Sequence, residues 1–197
     1  MKSINHWHPS IYSFFIRLSY RRNYRKRYEP IVDLIADGSS VTDVCCGDCR
    51  IYGYLKDKNV KYIGLDFNPQ FIASARKKGI DARIFNVYDG DIPVSDYVMM
   101  QGSLYQFYPR HVDILRKMYA AASKYLIISE PVKNNADSGS PIIASLARAL
   151  NNPGDGTKAH RFKVDTLKVA LEPFRNLIVK EFPAAGGIDY VAVIKKN

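Results

Sequence analysis

The chain has 197 residues, 47% hydrophobic and 24% charged; that size and composition fit one globular domain with a sizeable core, and no apolar run approaches the ~20 residues of a membrane helix. Three cysteines, Cys45, Cys46 and Cys49, share one five-residue stretch, which cannot staple a fold and implies a reducing compartment. The formal net charge is +10, and residues 1–30 alone supply +6, from seven basic residues against Glu29, so either an anionic partner or a solvated basic face is expected there.

The N-terminal stretch Met1–Leu18 carries an apolar patch interrupted by His6, His8 and Arg17. No small-residue cleavage site follows it, so a secretory signal is not read and a cytoplasmic location is expected. Residues 1–38 are expected to form a helical cap. Tyr12, Ile16, Tyr20, Tyr24, Tyr28 and Val32 recur at i, i+4 spacing and predict one helix with a core-facing stripe. The arginines between them are expected to point outward, their stems lying on apolar surface.

From Ile31 onward, short β-branched runs alternate with helical patterns. Val41–Cys45, Tyr62–Leu65, Ala82–Phe85, Tyr97–Met100 and Tyr125–Ile128 read as buried strands. Tyr52–Lys56, Pro69–Lys78 and Arg110–Ser123 read as helices, with Asn68 as N-cap, Pro69 in the first turn and Gly79 at the end. That alternation predicts a parallel sheet covered on both faces. Residues 132–160, rich in Asn, Ser, Gly and Pro apart from a short helix near 142–150, read as an insertion or lid. Leu177–Phe182 and Tyr190–Ile194 read as closing strands, and the short connection Pro183–Asp189, with Gly186 and Gly187 for its turn, makes them antiparallel.

The segment Val41-Thr42-Asp43-Val44-Cys45-Cys46-Gly47-Asp48-Cys49-Arg50 carries the chemistry. A strand enters a turn of small residues and a helix follows. Small residues let a ligand lie against backbone, and the helix N-terminus presents free N–H groups to it. Twenty-three residues after Asp43, the second strand ends at Asp66, where a carboxylate can accept hydrogen bonds from ribose hydroxyls.

Asp43-x-Cys45-x-Gly47-x-Cys49 resembles the acidic-x-Gly-x-Gly-x-Gly motif of the class I S-adenosylmethionine-dependent methyltransferases, and Asp-Val-Cys-Cys-Gly is similar to the form found in the quinone-methyltransferase group. The resemblance covers roughly residues 31–194. It implies a Rossmann-like α/β domain spanning 1–197, doubly wound, with a mostly parallel seven-stranded sheet of order 3-2-1-4-5-7-6, a C-terminal antiparallel hairpin and the N-terminal cap. It implies S-adenosyl-L-methionine as cofactor. Asp43, Cys45 and Gly47 would line its methionine part, Asp66 would hold the ribose, and Phe67 would lie beside the adenine. Asn86 and Val87 would meet the adenine edge, and Gln101 would sit near the sulfonium. Two motif glycines are cysteines here, and the usual aspartate after the third strand is Asn86. The leading segment would lie over the cleft and gate the acceptor, so a chain lacking residues 1–28 is expected to stay folded.

The expected activity is methyl transfer to a small-molecule or lipid-like acceptor, with an anionic one among the candidates. Acceptor-side candidates are Tyr105 and Gln106 after strand four, Glu130 ending strand five, and His160 and Arg161 closing the insertion. His160 is a candidate base and Glu130 a candidate for orienting a loop; Arg161 could pair with an anionic substrate or with Glu130. The alternative is a nucleic-acid-binding protein or RNA methyltransferase using the basic Arg17–Arg27 stretch, or binding to a membrane surface through it; an NAD-binding oxidoreductase ranks lower, because Arg50 stands where its third glycine would be. Cys46 and Cys49 also form a Cys-x-x-Cys, but they are read as packing residues. His6, His8, His111 and His160 are scattered, and no metal is expected.

Overall fold

The computed structural model describes residues 9–133 and 161–197. Seven strands form one sheet: β1 (Ser40–Val44), β2 (Lys61–Asp66), β3 (Ala82–Ile84), β4 (Ser95–Gln101), β5 (Ala122–Pro131), β6 (Ile178–Ala184) and β7 (Asp189–Lys195). Their order is β3-β2-β1-β4-β5-β7-β6, the order the family resemblance implies. The first five pair in parallel, while β7 runs antiparallel to both β5 and β6. β4 and β5 are buried on both faces at their centres, which is why they carry the continuous apolar runs Val98–Met100 and Leu126–Ile128 rather than alternating ones.

Six α-helices and several 3-10 turns cover the sheet in the described residues: α1 (Pro9–Tyr20), α2 (Glu29–Val32), α3 (Tyr52–Leu55), α4 (Pro69–Arg76), α5 (His111–Ala121) and α6 (Val164–Ala170). Two apolar cores result. One gathers the tyrosines of the leading segment with Ile31, Ile35, Leu55, Ile72 and Met99. The other gathers Leu65, Val98, Met100, Leu115, Leu126, Phe162, Leu167 and Phe174. Asn68 caps α4 as expected, its side chain accepting from the Gln70 N–H at 2.8 Å. Gly79 follows that helix with φ of 75°.

The leading segment departs from the expectation of one helix. α1 stops at Tyr20, Arg21 takes φ of 47°, and two 3-10 turns, Arg21–Asn23 and Arg25–Arg27, precede α2. Tyr20, Tyr24, Tyr28 and Val32 are nevertheless buried, so the stripe faces the core along a bent path; the side chain of Tyr12 lies outside the described set. The break has a tertiary cause. Tyr20 donates to Asp189 at 2.5 Å, and Asn23 packs where a Cβ on Gly186 would stand 2.7 Å from its amide. A straight helix would carry these groups past the β6–β7 turn.

Arg27 corrects the expectation that the arginines face outward. Arg17, Arg21, Arg22 and Arg25 are exposed. Arg27 is buried, with Nε 3.5 Å from Asp189 Oδ2 and its guanidinium over the Tyr20 ring at 4.8 Å. The expected removable gate also loses its footing, since Asp189 has its phenol and guanidinium partners in this segment. Of the expected lid at 132–160, residues 134–160 with the helix expected near 142–150 lie outside the described residues, as do His6, His8 and His160. Among the described residues no helix is long and apolar enough to cross a membrane.

Candidate cofactor and acceptor site

The turn after β1 has three left-handed positions, Cys45 (φ 58°), Gly47 (φ 54°) and Cys49 (φ 52°). Cysteine therefore adopts the conformation that glycine takes without strain, at a cost of roughly 1–2 kcal/mol per residue. The turn is lashed to β2. The Cys46 N–H donates to the Leu65 carbonyl at 3.0 Å, and the Gly47 N–H donates to Asp66 Oδ2 at 2.8 Å. Asp66 Oδ1 accepts from the Asn68 N–H at 2.8 Å. Burial raises the Asp66 carboxyl above the ordinary carboxylate range, opposed by those two N–H donors. Each oxygen keeps a further lone pair for a ligand hydroxyl.

Room for the Cys46 and Cys49 thiols comes from Gly64 on β2. A Cβ there would lie 2.6 Å from Cys49 Sγ and 2.9 Å from Cys46 Sγ. The Cys49 thiol contacts Cys46 Sγ at 3.2 Å, and that contact, together with burial, pushes the Cys46 thiol well above its ordinary range. Burial does the same to Cys45. These are the properties of packing thiols rather than reactive ones. A glycine inside a strand is the sequence signal of such a close approach, though it does not by itself say which residues approach.

Asp43 is buried at the end of β1 and accepts from the Tyr62 hydroxyl at 2.7 Å. Burial pushes its carboxyl up to about 7 even with that hydrogen bond. Tyr62 was missed as a site residue because it reads as an ordinary strand aromatic.

On the expected adenine side, Phe67 is 64% exposed directly beside Asp66. Val87 is buried in the second core, its carbonyl accepting from Lys117 Nζ at 2.8 Å. Asn86 is engaged in its own turn: its side-chain oxygen accepts from the Tyr88 N–H and its amide donates to Asp89.

At the ends of β4 and β5, Gln101 Oε1, Ser129 Oγ and Glu130 Oε2 are buried without hydrogen-bond partners among the described residues. Glu130 Oε1 accepts from the Ser103 and Leu104 N–H groups, both at 2.7 Å, so this side chain orients the loop that follows β4. Burial pushes its carboxyl up to about 7, with the two N–H donors and then Arg161 opposing the rise. Arg161 stacks on the Tyr105 ring at 3.9 Å. Tyr105, Glu130 and Arg161 thus come together; Gln106 is exposed. Among the described residues no three His, Cys, Asp or Glu side chains form a metal-holding group.

A family model described as "Methionine biosynthesis protein MetW" matches residues 25–131. No curated protein matches the chain. Solved structures with similar folds include a magnesium protoporphyrin IX methyltransferase from Synechocystis with bound SAH, 15% identical over 93% of this chain and 88% of that one, with a TM-score of 0.69. A SAM-dependent methyltransferase from Aquifex aeolicus is 15% identical over 97% of this chain and all of that one, with a TM-score of 0.62. An O-methyltransferase family 2 protein from Planctomyces limnophilus in complex with apigenin is 13% identical, and this chain covers 62% of its length (TM-score 0.68). At these identities the likeness establishes the fold, that of the class I S-adenosylmethionine-dependent methyltransferases.

Proposed function

Because the chain belongs to the family described as methionine biosynthesis protein MetW and has a class I methyltransferase fold, we propose that it binds S-adenosylmethionine and transfers a methyl group to a small-molecule or lipid-like acceptor. The observation that carries this reading is the turn after β1, with its three left-handed positions and its Gly47 N–H fixed on Asp66. The residues present fit the cofactor. Asp66 offers ribose-facing lone pairs, Phe67 an uncovered ring beside it, and Gln101 a buried oxygen without a partner.

When bound, the cofactor supplies an electrophilic methyl group on sulfur, attacked in line by the acceptor. The chain supplies proximity and orientation. The turn and Asp66 would hold the cofactor against the strand ends. Glu130 positions the loop carrying Ser103, Leu104 and Tyr105, and Arg161 stiffens Tyr105 from its open face. Tyr105 and Arg161 then form a wall of the acceptor site. Two similar folds in the comparison are named for small-molecule chemistry, a porphyrin methyltransferase and a protein complexed with apigenin, which favours a small acceptor here.

Calorimetry tests the cofactor assignment. S-adenosylmethionine and its demethylated product should bind and NAD should not, and Asp66→Ala should weaken binding by about 1.5–3 kcal/mol, the loss of hydrogen bonds to a charged acceptor. NAD binding, or an Asp66→Ala variant that binds normally, would overturn it. The exposed run Arg21, Arg22, Arg25 and Lys26 keeps one rival in view: RNA binding that weakens steeply with salt would favour a nucleic-acid substrate.

A further inference from the structure

A pocket of about 380 Å³ opens between α1, the flank of the Cys45–Cys49 turn and α4. Its cationic lining comes from three separate elements: Arg17 on α1, Arg50 just after the turn, and Lys78 just beyond α4. Asp48 is the one acid among its described lining residues, and it is already engaged, accepting from Ser13 Oγ at 2.6 Å and from Arg50 Nη2 at 2.8 Å. Neither Arg17 nor Lys78 is in an ion pair among the described residues. Arg50 Nε is buried without a hydrogen-bond partner among the described residues.

Three cations and one carboxylate leave this pocket about two charges positive. Like charges drawn to one concavity repel, and an anion seated among them relieves the repulsion. The donor set suits a phosphate group: guanidinium groups match pairs of its oxygens, the ammonium adds a point charge, and the Ser74 hydroxyl adds a neutral donor. The volume is that of a small-molecule site, and Phe14 and Tyr24 give it apolar walls.

We propose that this pocket is a binding site for a small phosphorylated molecule, held by Arg17, Arg50 and Lys78. It differs from the basic side chains of Arg21, Arg22, Arg25 and Lys26, which are exposed. The Ser13–Asp48–Arg50 hydrogen bonds join the pocket to the cofactor turn, yet Arg17 and Lys78 belong to no part of the cofactor or acceptor site described above.

Titration of the full chain with inorganic pyrophosphate tests the proposal. Calorimetry at low salt should show one saturable site. Arg17→Gln with Lys78→Gln should weaken it by at least about tenfold, whereas Arg22→Gln with Lys26→Gln, which removes the same charge outside the pocket, should change it by less than about twofold. No saturable binding, or equal weakening in both double variants, would show only a solvated basic face and overturn the site. S-adenosylmethionine binding, measured on the same proteins, should be unchanged in both double variants. It reports folding and keeps failure of this site distinct from failure of the methyl-transfer reading.

Discussion

Gly64, Cys46 and Cys49 show how a departure at one residue is absorbed by another. Cysteine where the family motif has glycine adds a side chain to a crowded turn, and the missing Cβ of Gly64 leaves the space it occupies. Gly64→Ala should therefore destabilise the fold by about 1–3 kcal/mol, the usual range for overpacking. Adding Cys49→Gly should recover most of that loss in a denaturation cycle, because it removes the nearer sulfur; simple additivity of the two changes would refute the exchange. Glu130 makes a prediction about pH. Its folded carboxyl is raised to about 7 from an ordinary 4.5, so the folded state holds a proton that the unfolded chain has released. The stability this contributes is fully present below about pH 4.5 and is lost as pH rises through about 7. Glu130→Gln, which can still accept from the Ser103 and Leu104 N–H groups, should flatten this part of the melting-temperature profile between pH 5 and 7.5. Asp43, also raised to about 7, keeps its own contribution in both proteins. A positioning role further predicts that the Gln variant retains turnover with an unshifted pH profile, whereas a proton-accepting role would abolish turnover.

The leading segment is bound to the rest of the fold by specific polar contacts as well as by its tyrosines. Arg27 lies against Gly102, where a Cβ would meet its guanidinium at 2.6 Å, and Asn23 against Gly186. Two glycines at strand-end turns are thus the places where the segment docks. Its Arg27 and Tyr20 are the partners of buried Asp189 on β7. Removing residues 1–28 would strand that carboxylate, and breaking a buried pair from one side costs about 3–5 kcal/mol, before the loss of Tyr20, Tyr24 and Tyr28 from the core. At roughly 2–4 °C per kcal/mol for a chain of this size, the truncated protein should melt at least ~6 °C lower, or fail to fold. A truncated chain melting within a degree or two of the full one would show that these contacts contribute little.

Across the whole molecule, the cofactor turn, Asp66, Gln101 and Glu130 sit at the carboxyl ends of adjacent strands β1, β2, β4 and β5. Ligands of open α/β sheets bind there because parallel strands deliver their connecting loops to one edge. Binding across that edge joins the two cores through a shared ligand. S-adenosylmethionine at about a hundredfold excess over its Kd should stabilise the folded state by about 2.7 kcal/mol, a melting-temperature rise of roughly 5–11 °C at the scale above. A scan without that shift, at a concentration shown by calorimetry to saturate, would mean that the ligand binds the unfolded chain too.

The strands and the hairpin could be read from the chain alone, because period, β-branched runs and short connections are local properties, but β3, expected to be buried, has Arg83 and Ile84 exposed because it is an edge strand of the sheet. Asp43 and Asp66 could be placed at strand ends for the same reason, and Asn68 could be named as a cap from its neighbours alone. The path of the leading segment was not legible: i, i+4 spacing recorded which tyrosines are buried, while the β6–β7 turn and Asp189, more than 160 residues away, decided where the helix breaks. The same limit hid Tyr62 behind Asp43 and Gly64 behind the cysteines. Each of these pairings joins residues on different elements, and only the packing of strands and helices brings such residues into contact.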